Sequence, residues 1–281
     1  MADSHGRFAW YELITTDMDA ATSFYTQVMG WEAWNAPVPG RPYSLFTAGK
    51  APVGGMMGMP EDARRMGAKA GWLGYVVVDD VDATAGRVER LGGAVIVPPT
   101  DVPNTSRFSV FSDPQTTRLA LFKWLKGGQG QPADPDAPGR VGWHELLAAD
   151  WEAAWAFYGE LFGWQNADAE IGALGTYQLF SAGDEPIGGM LTKPSNVPAP
   201  FWLYYFNIGD VEAAAQRVKA AGGEILDPPV EVPGGSWIVR CTDPEGAVFA
   251  LEGTRARSPI GYFERVPSGD PSAARGRRWS W

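Results

Sequence analysis

The chain has almost none of the side chains that usually build a reactive metal or redox centre. Its 281 residues include one cysteine and two histidines. Cys241 alone cannot form an internal disulfide, so the fold does not depend on an oxidising compartment. His5 and His144 are too few for a His- or Cys-rich metal site. Positive charge is also short: 23 Lys and Arg stand against 33 Asp and Glu, a net charge of −10. That balance argues against a general nucleic-acid binder and favours neutral or cationic partners. Long hydrophobic runs are missing. No stretch approaches the roughly 18 apolar residues of a membrane span, and Met1 to Trp10 lacks the apolar run of a signal peptide. The expectation is a cytoplasmic protein, monomeric or homodimeric, with a small-molecule partner and neither nucleic acid nor membrane.

What the chain does have is tryptophan, 13 of them, and repetition. The stretch from Trp10 to Trp31 returns from Trp143 to Trp164. Trp10, Glu12, Asp17, Phe24, Tyr25, Gly30 and Trp31 reappear as Trp143, Glu145, Asp150, Phe157, Tyr158, Gly163 and Trp164 without a gap, so the chain is a duplication. Each copy opens with an alternating strand, then an aspartate suited to cap a helix, then apolar residues at three- and four-residue steps. Gly30 and Gly163 supply the C-terminal stop. Pro-rich residues 32–42 read as a connection, 61–70 as a polar loop, and Gly71 to Val78 as a further strand. Val81 to Leu91 is a second short helix, followed by strands up to Trp124. The second copy repeats this plan. The expected domains are 1–125 and 140–254, joined by a Gly- and Pro-rich linker at 126–139 and followed by a tail at 255–281.

A duplicated unit of strand, helix and three strands is similar to the vicinal oxygen chelate superfamily of glyoxalases, bleomycin-resistance proteins and extradiol dioxygenases. The residues that carry the resemblance are Asp17, Phe24-Tyr25 and Gly30-Trp31, their second-copy counterparts, and Asp113-Pro114 and Asp243-Pro244 before each last strand. It implies an α+β fold: two tandem domains, each of two βαβββ modules forming a cupped mixed sheet. It also implies metal ligands seven residues before the capping aspartate and seven after the Asp of Asp-Pro. Those positions hold Trp10 and Trp143, then Ala120 and Ala250, with Trp72 and Trp202 taken as the second-module equivalents. None of these can ligate a divalent cation, so no metal and no cofactor is expected.

Side chains two apart on a strand share a face, which sets Glu12 beside Trp10 and Glu145 beside Trp143 in the cups. These glutamates are the candidate catalytic groups, as general bases or anchors for a cationic ligand; the structural alternative is an ion-paired or solvated carboxylate. Trp10, Trp72, Phe122, Trp143, Trp202, Tyr204 and Glu252 are the candidate ligand-binding residues, with Phe206 beside them, although each aromatic taken singly could be ordinary core. Glu252 makes the second cup the more acidic. His144, one residue off, is expected on the opposite face as a packing histidine. The glycine pairs Gly54-Gly55 and Gly188-Gly189 suggest a bulge or a close approach, and they lack the helix and lysine of a phosphate loop. Three functions remain open: binding or conversion of a small molecule without metal, a metal-dependent lyase or dioxygenase, and sequestration of a drug without chemistry.

Overall fold

The computed structural model describes residues 4–36, 38, 42–125, 134–172 and 175–256. Most of the expected linker and nearly all of the expected tail lie outside them. The first copy runs β1 (Phe8–Thr15), α1 (Met18–Met29), β2 (Glu32–Asn35), β3 (Tyr43–Ala48), β4 (Ala51–Gly58), α2 (Glu61–Arg65), β5 (Gly71–Val77), α3 (Val81–Arg90), β6 (Ala94–Val102), β7 (Ser106–Ser112) and β8 (Arg118–Trp124). The second runs β9 (Val141–Ala148), α4 (Trp151–Phe162), β10 (Gln165–Gly172), β11 (Gly175–Ala182), β12 (Glu185–Thr192), β13 (Phe201–Asp210), α5 (Val211–Ala220), β14 (Glu224–Glu231), β15 (Trp237–Thr242) and β16 (Val248–Thr254).

Each copy makes one eight-stranded mixed sheet, in the order β2-β3-β4-β1-β5-β8-β7-β6 and β10-β11-β12-β9-β13-β16-β15-β14. The central pairs β1–β5 and β9–β13 are antiparallel, and each is flanked by parallel pairs. This is the α+β architecture of two βαβββ modules per domain. Two elements differ from the sequence reading. Residues 32–35 pair with β3 as an edge strand, and the 61–70 segment opens with one helical turn. No helix among the described residues is long and apolar enough to cross a membrane.

The long helices start and stop as their ends dictate. Asp17 and Asp150 accept from two first-turn amides each, and Gly30 and Gly163 close the helices at φ 71° and 69°, left-handed backbone that glycine adopts without strain. The apolar faces then bury Phe24, Tyr25 and Val28, and Phe157, Tyr158 and Leu161.

The helix sides of the two sheets share a single core, in which residues of both copies interlock. Phe8 stacks on His144 with ring centroids 3.9 Å apart, Phe24 meets Phe249, and Trp31 meets Phe206. Polar contacts run across the same junction. Tyr25 donates to Asp243 at 3.2 Å and Tyr158 donates to Asp113 at 3.0 Å, so each helix tyrosine binds the Asp-Pro turn of the other copy. Glu245 clasps Thr15 and Thr16. Where equivalent positions meet, they differ: Tyr11 faces His144, and the Tyr204 hydroxyl accepts the Gly74 amide at 2.8 Å in space that a β-carbon on Gly74 would fill.

Candidate functional site

With the helices turned inward, the outer face of each sheet carries an apolar cluster of its own, at the place where the sequence reading expects the cup. The first is lined by Trp10, Leu73, Tyr75, Val77, Phe108, Val110, Ala120, Phe122 and Trp124. The second is lined by Trp143, Leu147, Tyr177, Leu191, Phe201, Leu203, Tyr205, Ile238, Val248 and Ala250.

Both cups have the same polar floor. In the first, Trp10 Nε1 donates to the Tyr43 hydroxyl at 3.3 Å, and Tyr75 donates to Glu12 Oε2 at 2.8 Å. In the second, Trp143 Nε1 donates to Tyr177 at 2.8 Å, Tyr205 donates to Glu145 Oε2 at 2.9 Å, and Tyr177 also hydrogen-bonds Glu145. Glu145 is thus bonded by two tyrosines, and Glu12 by Tyr75, while Tyr43 lies over Gly55, its ladder neighbour. Gly55 and Gly189 stand beside Glu12 and Glu145 in the ladder, and a β-carbon on either would collide with the Tyr43 or Tyr177 ring. The glycine pairs are therefore a close approach, with a tyrosine laid across the strand next to the carboxylate.

Glu12 is 7% exposed, and Glu145 is half-buried. Burial raises the Glu145 carboxyl above the ordinary carboxylate range, against the opposing pull of the Arg240 charge and the two tyrosine hydroxyls. The Tyr205 hydroxyl is pushed well above its ordinary value by burial and by the Glu145 charge. A carboxyl whose affinity for protons has been raised is the kind of group used for acid-base work near neutral pH.

Three expected ligand-binding residues are not in the cups. Trp72, Trp202 and Tyr204, with Phe206, point to the helix side and join the shared core. Trp72 Nε1 donates to Tyr25 and Trp202 Nε1 donates to Tyr158, so they brace the helix tyrosines that grip the opposite copy. The reason is register. Glu12 lies opposite Leu73, whereas Trp72 lies opposite Leu13, and Glu145 lies opposite Leu203. The aspartates that cap α3 and α5 are Asp80 and Asp210, so counting back seven residues gives Leu73 and Leu203. A one-residue slip turns every side chain to the other face.

Trp10 and Phe122 pack in the first cup and Trp143 in the second, while Glu252, half-buried, lies opposite Ile238 and so shares the second cup's face. His144 lies between the sheets. Its Nδ1 donates to the Ile187 carbonyl at 2.5 Å, which leaves Nε2 to accept from Tyr11 at 2.6 Å. Burial pushes its pKa down to about 4. His5 sits 3.3 Å from Asp79. Sequence reasoning missed Tyr43, Tyr75, Tyr177, Tyr205 and Arg240. The tyrosines were signalled by the duplication itself, since Tyr-x-Leu-Phe and Trp-Leu-x-Tyr occur in both copies.

The glyoxalase, bleomycin resistance protein and dioxygenase superfamily model matches residues 7–121 and again 140–251. The chain belongs to that superfamily. It is 34% identical over 244 residues to the putative glyoxylase CFP32 of Mycobacterium tuberculosis, covering 86% of this chain and 92% of that protein. It is 31% identical over 268 residues to the anthracycline biosynthesis protein DnrV of Streptomyces peucetius, covering 90% and 95%. Among solved structures it shares its fold with the Mn(II)-bound glyoxalase from Novosphingobium aromaticivorans, at a TM-score of 0.61 and 17% identity over 96% of both chains.

The donor set does not fit the metal of that superfamily. The inherited ligand positions in the cups hold Trp10, Leu73 and Ala120, and Trp143, Leu203 and Ala250. Among the described residues no three His, Cys, Asp or Glu side chains come together as a metal site.

Proposed function

We propose that this superfamily member binds or converts small molecules in its two outer cups, without a resident metal. Glu12 and Glu145 are the polar centres, and Trp10, Phe122, Trp143 and Glu252 are parts of the walls. The observation that carries the reading is the floor of Trp, Tyr, Glu and Tyr repeated in both copies, beside the positions where the resemblance implies metal ligands. A carboxylate set in an aromatic wall is expensive unless it is used or satisfied, and both copies keep one, buried at Glu12 and half-buried at Glu145. Three of its neighbours carry hydroxyl or indole groups able to orient a ligand's polar edge, while their rings offer flat apolar contact.

The names of the relatives suggest what to try. One is called a putative glyoxylase, the other an anthracycline biosynthesis protein, and the latter name suggests planar polycyclic phenols. Alizarin, a dihydroxyanthraquinone, is a suitable probe because it should quench the fluorescence of Trp10 or Trp143. Protein exchanged against a chelator is expected to bind alizarin as tightly as untreated protein, and Glu145→Gln to bind it more weakly. Binding that disappears with chelation and returns only with manganese, iron, nickel or zinc would overturn the metal-free reading.

A further inference from the structure

The two cups share a floor but differ in one wall. Ladder partners project from the same face of a sheet, so a row of side chains can be followed across the second cup from Trp143 to Tyr205, Ala250 and Arg240. The corresponding row in the first cup is Trp10, Tyr75, Ala120 and Val110. Arg240 therefore stands on the ligand side, where the first cup has only an isopropyl group. Ala250, fully buried with a single methyl, leaves room for a long side chain to reach back over its strand. The Arg240 charge acts on both Glu145 and Tyr205. From the outer side, Asp227 on β14 holds Arg240 Nε at 3.1 Å and fixes the stem.

We propose that Arg240 makes the second cup, and not the first, a site for planar molecules with an acidic ring hydroxyl, whose oxygen lies between the Glu145 carboxyl and the Arg240 guanidinium. This rests on the reading of the cups as ligand sites. Trp143, Tyr177 and Tyr205 take the ring. When the bound hydroxyl ionises, its O–H bond breaks, the proton forms an O–H bond on Glu145, and the electron pair stays on the ligand oxygen facing Arg240. The cup's total charge is unchanged by that transfer. Around Arg240 on this face stand the acidic side chains of Glu145, Glu252 on β16 and Asp227 on β14. These carboxyl groups disfavour a ligand arriving as an anion and favour a neutral acid that ionises in place. Burial of Glu145 adds to its strength as a proton acceptor.

Alizarin tests this directly, because loss of a ring proton moves its visible band to longer wavelength. It is titrated into the full chain at a pH where the free dye is neutral, alongside hydroxyl-free anthraquinone. Bound alizarin is expected to show the long-wavelength band. Arg240→Val, which installs the first copy's residue, and the near-isosteric Arg240→Gln should each lose the band and bind alizarin about tenfold more weakly. Anthraquinone affinity should be unchanged in both, and Arg240→Lys should keep the band. If alizarin binds neutral in the native protein, or the band survives in both neutral variants, the role of Arg240 is overturned while the cups remain ligand sites. If neither dye binds, or binding is indifferent to Trp143→Ala, both the inference and the reading it rests on fall.

Discussion

The first cup and the second are built on the same floor and finished with different walls. Glu12 and Glu145 each receive a tyrosine hydroxyl at 2.8 and 2.9 Å. Above that floor Val110 and Phe122 in one cup correspond to Arg240 and Glu252 in the other. Duplication has preserved the hydrogen-bonded centre and let the charge of the surroundings change. A carboxyl's proton affinity is set by its surroundings, so two copies of one site can differ in chemistry while their central residues stay identical. The inner faces teach the complementary lesson. There the copies are locked together, and equivalent positions have become unlike so that they fit: tyrosine against histidine, glycine against tyrosine.

The largest effect should therefore strike both cups at once, through the shared core. His144 is held neutral in the fold with a pKa pushed down to about 4, while in the unfolded chain it titrates near ~6.5. Between those values the unfolded state binds the extra proton. The stability due to neutral His144 is thus complete above about pH 6.5 and is lost as pH falls through about 4, up to roughly 3 kcal/mol in all. Urea midpoints should drop over that window, and Trp10 and Trp143, one in each cup, should report a single unfolding transition; His144→Gln should flatten the dependence. Separate transitions for the two halves would show that the core is less shared than its contacts indicate.

Next in size are changes that should separate the cups. Glu145→Gln keeps the shape but removes the proton acceptor, and alizarin affinity should fall about tenfold or more. Glu12→Gln should leave that binding untouched. Equal losses from the two would erase the distinction between the cups. Installing the missing charge should narrow it instead. Val110→Arg is expected to raise the first cup's affinity for alizarin severalfold, about 1 kcal/mol, read as a second equivalent of dye in a fluorescence titration. The smallest effect belongs to Tyr177→Phe, which removes one of two hydroxyls on Glu145 and leaves the ring. A loss of about threefold in affinity is expected, as for one hydrogen bond that water can partly replace.

The parts legible in the sequence were those decided locally. Capped helices over 18–29 and 151–162, their glycine stops and the duplication follow from residues a few positions apart, and repetition at matched spacing brought Glu12 and Glu145 forward together. Trp72, Trp202 and Tyr204 fall on the core face and not in the cups because the caps Asp80 and Asp210 set the seventh residue back at Leu73 and Leu203, and one residue reverses a strand. The tyrosines of the floor lie on different strands from the glutamates they serve. Only the ladder register brings Tyr75 to Glu12 and Tyr205 to Glu145. Arg240 was hidden for a related reason: its counterpart is Val110, so repetition did not mark it, and its reach depends on the smallness of Ala250 two strands from Trp143.

A crystal of the full chain soaked with alizarin tests the central claim most directly. The account predicts dye density in the second cup, its ring against Trp143, Tyr177 and Tyr205 and an oxygen within hydrogen-bonding distance of Glu145 and Arg240. Dye bound on the helix side or between the sheets, or held by a metal ion in place of those side chains, would contradict it.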